Sequence, residues 1–389
     1  MTGSIISILM SDNIKLFFCG DFCSTPSTSL ISVSEELKDL ISSCDLKICN
    51  FEVPLKPSDI PKSSDRLYQH DDAPKFLENL GFNLFSFANN HAFDYGIAGY
   101  EKTINAFRNR YNVFGSGSYR EAYSVKMIDI KGIKIGFLAL CYAARFGVFD
   151  NISCKEGLGC AYINDLCVNH VILAAKKEVD FLIILPHDGI EYIDVPLPET
   201  IARYRDFIDY GADAVIGTHP HCPQGWEKYR GKLIFYSLGN FFFNSKENPL
   251  YRAWNRPHWY EGLCVELNIK DGDSMCEVYN TKNVDNVALV LDHSEDVKKH
   301  NEIICSYLKD ATSYKRYIET ELRKLAIMQE LPILDTTVHK TTLKIAFKSL
   351  LKKSFKLLFS KEEFADKSVT NLLKNDTRRS ALLRVLNNQ

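Results

Sequence analysis

The chain has 389 residues, 46% of them hydrophobic and 25% charged. That is enough apolar material for one large domain or two smaller ones, and the composition excludes global disorder. The net charge of −2 gives no bulk attraction to nucleic acid.

The opening stretch MTGSIISILMSDNIKLFF has no basic n-region, and its apolar run is interrupted by Ser and Asp, so no secretory leader is expected. No apolar run is long enough to span a bilayer. There are 12 Cys and no CxxC pair, and several cysteines (Cys19, Cys49, Cys141) fall inside apparent strands. Free thiols in a reducing cytoplasm are therefore expected, without a zinc ribbon.

Apolar runs predict strands at Lys15–Cys19, Leu46–Phe51, Asn83–Ala88, Ile133–Leu140, Phe181–Leu185, Ala214–Ile216, Leu233–Tyr236 and Leu263–Ile269. Between them lie predicted helices at Ser34–Ser43, Pro74–Leu80, Ala98–Arg110, Leu166–Lys177 and Pro198–Tyr210. Ser34 suits an N-cap, Pro74 a first turn, and Gly81 and Gly211 helix ends. The alternation argues for an α/β layered domain over residues 14–290. From Ser294 the character changes. Glu295–Leu331 reads as a long helix or helical pair that Pro332 breaks, and a second helical region starts near Thr341. Residues 295–389 are thus expected to form a helical C-terminal region.

Polar residues collect just after five of the strands, where layered α/β proteins place ligands. They are Gly20-Asp21, Asn50-Phe51-Glu52, Ala88-Asn89-Asn90-His91, Pro186-His187-Asp188-Gly189 and Gly217-Thr218-His219-Pro220-His221. His219 and His221 would face adjacent metal positions if the backbone between them is extended. Each motif alone has an ordinary reading as a turn, a cap or surface histidines. However, four of only 10 His sit at these strand ends, which favours metal. Imidazole and carboxylate suit Mn, Fe or Zn. A set of this size suits two divalent transition metals about 3.5–4 Å apart, which lower the pKa of a shared water and clamp a phosphoryl or acyl centre.

Together the segments Gly20-Asp21, Asn50–Glu52, Ala88–Gly96 (ANNHAFDYG), His187–Tyr192 (HDGIEY), Gly211–His221 (GADAVIGTHPH) and Tyr236–Phe241 (YSLGNF) resemble, in order, the CapA family of poly-γ-glutamate capsule biosynthesis proteins, part of the calcineurin-like metallophosphatase superfamily. The resemblance covers roughly Ile14 to Ile269. It implies a four-layer α/β/β/α sandwich with two metals. It also implies Asp21 as a ligand of the first metal, Glu52 as the bridging carboxylate, Asn90 and His187 as ligands of the second, and His219 and His221 as one ligand for each. His91 would act as a general acid. Asp94 either orients His91 or starts a helix, and Asp188 and Glu191 could bind substrate or orient ligands. Cys23 stands where general metallophosphatases have a histidine, and a packed thiol is favoured over a thiolate ligand there. Asn240 competes between lining the site and serving a turn. The stretch Trp254–Tyr260 competes between an anion- or sugar-binding loop and packing.

The tail has a character of its own. Lys340–Gln389 carries 12 Lys and Arg against 4 Asp and Glu, net +8, leaving 35 against 45, net −10, for the rest. Lys344, Lys348, Lys352 and Lys356 recur every four residues opposite an apolar stripe, a basic amphipathic helix. It suits either an ordinary surface helix, the favoured reading, or a contact with an anionic membrane or a synthase. The expected protein is a cytoplasmic two-metal hydrolase, peripheral to the inner membrane face if the tail binds there. Its substrate would be an anionic polymer or a phosphoester. The rival expectation is a non-catalytic assembly factor for a capsule polymer synthase, held by the tail. A nuclease is disfavoured, because an acidic body repels a phosphate backbone.

Overall fold

A computed structural model describes residues 13–58, 67–142, 147–149, 157–244, 257–270 and 272–328. The basic tail, the break at Pro332 and residues 254–256 lie outside them.

The described chain is a mixed α/β fold. A nine-stranded sheet contains β1 (Ile14–Ser24), β2 (Ser32–Val33), β3 (Leu46–Phe51), β4 (Leu84–Ser86), β5 (Val113–Phe114), β15 (Asn240–Asn244), β16 (Glu261–Lys270), β17 (Asp273–Val284) and β18 (Ala288–Leu291). Its order is β2-β18-β17-β16-β1-β3-β4-β5, with β15 beside β1. A six-stranded sheet, in the order β13-β14-β12-β11-β8-β7, contains β7 (Lys126–Ile130), β8 (Ile133–Cys141), β11 (Phe181–His187), β12 (Ala214–Ile216), β13 (Pro223–Tyr229) and β14 (Lys232–Leu238). A small third sheet joins β6 (Ser116–Ser118), β9 (Val148–Phe149) and β10 (Leu158–Ala161).

Five helices were expected within the α/β body and are found: α1 (Glu35–Ser42), α2 (Ala73–Asn79), α3 (Gly96–Ala106), α5 (Val168–Ala175) and α6 (Pro198–Asp209). A short α4 (Tyr119–Ala122) joins them. Ser34 does cap α1, accepting from Leu37 N. Gly81 and Gly211 follow α2 and α6 at positive φ, a conformation in which glycine carries no Cβ penalty. The region after Ser294 is a helical pair, α7 (Glu295–Tyr307) and α8 (Ala311–Met328), packed on the body: Tyr314 Oη donates to Pro196 O at 2.7 Å.

Phenylalanines fill the core. Phe17, Phe18, Phe22, Phe51, Phe85 and Phe137 are all buried, and Phe114 of the larger sheet meets Phe137 of the smaller one edge-on at 6.4 Å. The central strands β1, β3 and β4 run parallel, as do β8, β11, β12 and β14. Parallel pairing sends their C-terminal ends to one edge, and both sheets therefore deliver their strand tips to the same place.

The chain crosses between the sheets at Gly239, where β14 of one hands over to β15 of the other. There Asp21 N donates to Gly239 O at 2.9 Å. A Cβ on Gly20 would lie 1.9 Å from that same oxygen, so only glycine lets the two backbones touch. All described cysteines are free thiols. No helix among the described residues is long and apolar enough to cross a membrane.

Candidate metal centre

Asp21 sits within β1 and Glu52 directly after β3, both fully buried. Asp21 is well supplied with donors: Asn50 Nδ2 reaches Oδ1 at 2.6 Å and the His219 amide reaches Oδ2 at 3.1 Å. Glu52 is not, because neither of its oxygens has a hydrogen-bond partner. Three imidazoles instead surround Glu52 Oε1. His187 Nε2 and His221 Nε2 lie at 3.8 Å and His91 Nε2 at 4.0 Å, too far for hydrogen bonds. His187 ends β11, while His219 and His221 follow β12.

Two triads emerge whose ligand atoms lie within 4.8 Å of one another, Glu52–His187–His219 and Asp21–Glu52–His221. Glu52 belongs to both. A buried carboxylate with no donor, flanked by nitrogens that do not bond it, fits cations better than it fits any arrangement of these side chains alone.

The electrostatics agree. Burial pushes the Asp21 pKa up to about 7 against the pull of its donors, and burial with the Asp21, Glu191 and Asp94 charges pushes Glu52 well up. Burial and the neighbouring imidazoles hold His187 well below its ordinary value, and burial brings His221 to about 4. These histidines therefore keep their lone pairs at neutral pH, the state a metal requires.

The remaining expected residues fall around this core. Asn90 Oδ1 faces His187 Nε2 at 2.9 Å. His91 Nδ1 lies 2.7 Å from Asp94 Oδ2, and its side chain, 25% exposed, is at the open edge of the group. Glu191 Oε1 is 4.0 Å from His219 Nε2. Asp188 is buried and joins neither triad; Thr200 Oγ1, on α6, donates to it at 3.3 Å.

His219 and His221 are not on extended backbone: their φ angles are 102° and 58°. The left-handed turns at both residues bring their rings to 5.8 Å between centroids, tilted by 56°, so each aims at a different triad. Val53, a β-branched residue beside Glu52, also has positive φ, 76°. Such strain gathers where side-chain placement is over-determined.

Cys23 is buried with its thiol pKa raised by burial and by the Glu52 and Asp21 charges, and it belongs to no candidate metal group among the described residues, which is a packed thiol. Asn240 binds His221 Nδ1 at 2.9 Å through Oδ1, so it supports a ligand candidate. Trp259 is buried and packs on His221 at 4.9 Å. Asn50, quoted in the motif without a role, turns out to bridge Asp21 and His187, with Nδ2 3.1 Å from His187 Nδ1. The sequence offered only its spacing, two residues before Glu52; its place opposite Asp21 comes from the register of β1 and β3.

With this geometry in view, residues 15–245 match the family model described as "Bacterial capsule synthesis protein PGA_cap". The chain is 30% identical over 240 residues to the capsule biosynthesis protein CapA of Bacillus anthracis, covering 57% of this chain and 58% of that one. It is 30% identical over 246 residues to the PGA biosynthesis protein CapA of Bacillus subtilis (strain 168), covering 61% of each. The match thus spans about three fifths of the length of these relatives. A solved phosphatase from Mycoplasma pneumoniae aligns at 16% identity and TM-score 0.44, over 70% of this chain and 94% of its own.

Proposed function

We propose a function from one premise: the chain belongs to the bacterial capsule synthesis family PGA_cap, whose model spans more than half of it. Within that family it acts as a metal-dependent hydrolase of a phosphoester or related bond, in the making of poly-γ-glutamate or another surface polymer. The observation that carries this reading is Glu52, buried, without a hydrogen-bond partner, and common to two groups of candidate ligands. Asp21, Glu52 and His221 would hold one divalent transition metal, and Glu52, His187 and His219 the second, with Asn90 beside His187. When bound, such a pair supplies Lewis-acid polarisation of the scissile centre and a more acidic water.

The protein's own residues do the rest. Asp94 fixes the His91 ring, whose far nitrogen is turned toward Glu52 and whose edge reaches solvent, so His91 can hand a proton to a departing oxygen. Glu191, near His219, would repel a carboxylate-rich polymer unless cations screened it, and this makes metal a condition for binding as well as for reaction. In this reading the two large sheets are the inner layers of the four-layer α/β/β/α sandwich. In this reading the protein works in the cytoplasm, and it sits at the inner membrane face only if the basic tail binds an anionic surface there.

The test is metal content by elemental mass spectrometry beside turnover of an aryl phosphodiester and of poly-γ-glutamate, for the parent and for Asp21→Ala/His219→Ala. A drop in bound transition metal together with loss of turnover in the variant would support the hydrolase, and the substrate consumed would fix its class. A reconstituted parent that holds no metal at these residues and turns nothing over would overturn it. The function would then be that of a non-catalytic assembly factor, which the names of the two relatives, describing biosynthesis and no reaction, equally allow.

A further inference from the structure

The His187 ring is held from both sides. Its Nε2 faces Asn90 Oδ1 at 2.9 Å. Its Nδ1 faces Asn50 Nδ2 and Thr218 Oγ1, each at 3.1 Å. A neutral imidazole carries one proton, and these partners decide which nitrogen holds it.

Asn50 decides for the metal-free chain. The end of its amide that meets the ring is also 2.6 Å from Asp21 Oδ1, so it is the NH2 end, because a carbonyl oxygen there would oppose a carboxylate oxygen. The NH2 donates, Nδ1 accepts, and the ring proton sits on Nε2, where it is donated to Asn90 Oδ1. Nε2 is also the nitrogen 3.8 Å from Glu52 Oε1, so in this tautomer it has no lone pair to offer a cation. His221 is the opposite case. Asn240 donates through Nδ2 to Trp259 O at 2.9 Å and accepts through Oδ1 from His221 Nδ1 at 2.9 Å, which leaves His221 Nε2 bare, 3.8 Å from the same Glu52 oxygen.

To ligate through Nε2, His187 has to carry its proton on Nδ1 and needs an acceptor there. Asp21 Oδ1, at 3.7 Å, is out of reach, and Asn50 presents hydrogens. Among the described residues Thr218 Oγ1 is the one acceptor within hydrogen-bond distance of Nδ1. Its place does not depend on the ring: the Thr218 amide donates to Pro186 O at 2.9 Å, its carbonyl accepts from the Asp188 amide at 3.1 Å, and the residue is buried. A hydroxyl can give or take. It donates to a bare Nδ1, and it accepts from Nδ1–H once its own proton turns to Asp21; burial raises the Asp21 pKa, and Thr218 is among the donors that pull it back.

We propose that Thr218 is a positioning residue for the second metal, whose hydroxyl changes from donor to acceptor as the His187 proton moves from Nε2 to Nδ1 and so frees Nε2 to ligate. The Nε2 proton leaves to water and Nδ1 takes one up, so the ring is neutral throughout. This deepens the two-metal reading and rests on it.

The full chain, labelled with 15N-histidine and freed of metal, is followed by long-range 1H–15N correlation, with His187 assigned by its loss in His187→Gln. The ring should be Nε2–H without metal and Nδ1–H with Zn2+. Retained zinc is then counted by elemental mass spectrometry over a Zn2+ titration for the parent, Thr218→Val and Thr218→Ser. Valine keeps the shape and loses the oxygen. It should leave the circular dichroism and the zinc held by Asp21 and His221 unchanged and weaken the second zinc by about tenfold or more, and serine should restore it. A valine variant that binds both ions as the parent does, or a His187 that keeps one tautomer with and without zinc, would overturn the proposal and leave the hydrolase reading standing. A parent that binds no zinc would overturn both. Should the valine variant fail to fold, the two tautomers of the parent and the zinc content of Thr218→Ser decide.

Discussion

Burying the Glu52 carboxylate with neither oxygen hydrogen-bonded costs several kcal/mol unless a proton or a cation neutralises it. Burial and the neighbouring carboxylates push its pKa well up, which favours the protonated form in the absence of metal. Replacing it by Gln should therefore leave the metal-free protein as stable as the parent, or more stable by about 1 kcal/mol. The same change should cut metal content at the first site by about tenfold or more, since a neutral amide is a poor bridge. Melting curves with and without chelator, beside metal analysis, check both halves. A Glu52→Gln protein clearly less stable than the parent in chelator would show that the carboxylate serves the fold instead. At this scale much was legible. Asp21, Glu52, His91, His187, His219 and His221 all come at or just after the ends of apolar runs, and such ends converge in a layered α/β fold. What was hidden depends on backbone angles and on partners distant in sequence. Nothing in His219-Pro220-His221 announces positive φ, and Asn50 gains its role only when β1 and β3 lie in register.

Elements were legible where the period of the sequence matched burial. β3 and β12 appear with the predicted bounds, and the five body helices shift by only a few residues, because each buries one continuous apolar run or face. β17 was missed: DSMCEVYNTKNV carries polar residues over much of its length, and even its buried positions, Thr281 and Asn283, are polar, so no apolar run marks it. β15 was missed because NFFFN reads as part of a turn motif, yet it is the strand that carries the chain from one sheet to the other. The Gly20–Gly239 contact makes that crossing specific. Gly20→Ala must displace a backbone carbonyl that already accepts from Asp21 N, not a flexible side chain, so the cost should reach about 3 kcal/mol. Chemical denaturation measures it, and a loss under about 1 kcal/mol would mean the crossing relaxes easily. A gentler joint lies at the start of α2. Asp72 is opposed by partial burial, but Ser27 Oγ at 2.6 Å and the Thr28 amide at 3.0 Å outweigh this and hold its pKa below the ordinary value. A lowered folded pKa gives stability that is present above the unfolded value, about 4, and is lost as pH falls through the folded one. Asp72→Asn should therefore cost about 1 kcal/mol at neutral pH, allowing for its partial exposure, and the gap from the parent should close below pH 4. A gap that persists in acid would assign the effect to packing.

Across the whole molecule, the first site is a seam. Asp21 and Glu52 belong to strands of the nine-stranded sheet, while His187, His219 and His221 belong to strands and turns of the six-stranded one. Each candidate triad takes ligands from both sides, so a bound cation would cross-link the sheets beside the His219 amide–Asp21 and Asn50–His187 contacts that already join them. Metal that binds only the folded chain then stabilises it by mass action, about 2.7 kcal/mol when free metal is 100 times the dissociation constant. Chelation should lower the melting temperature by several degrees, and both sheets should melt together with metal and less cooperatively without it. Adding Asp21→Ala/His219→Ala should erase the response to metal. A melting temperature indifferent to chelator in a protein shown to carry metal would mean that the cation sits on a preformed seam and binds the unfolded chain equally well. In that case the strain at His219, His221 and Val53 is held by packing alone, chiefly the phenylalanines between the sheets.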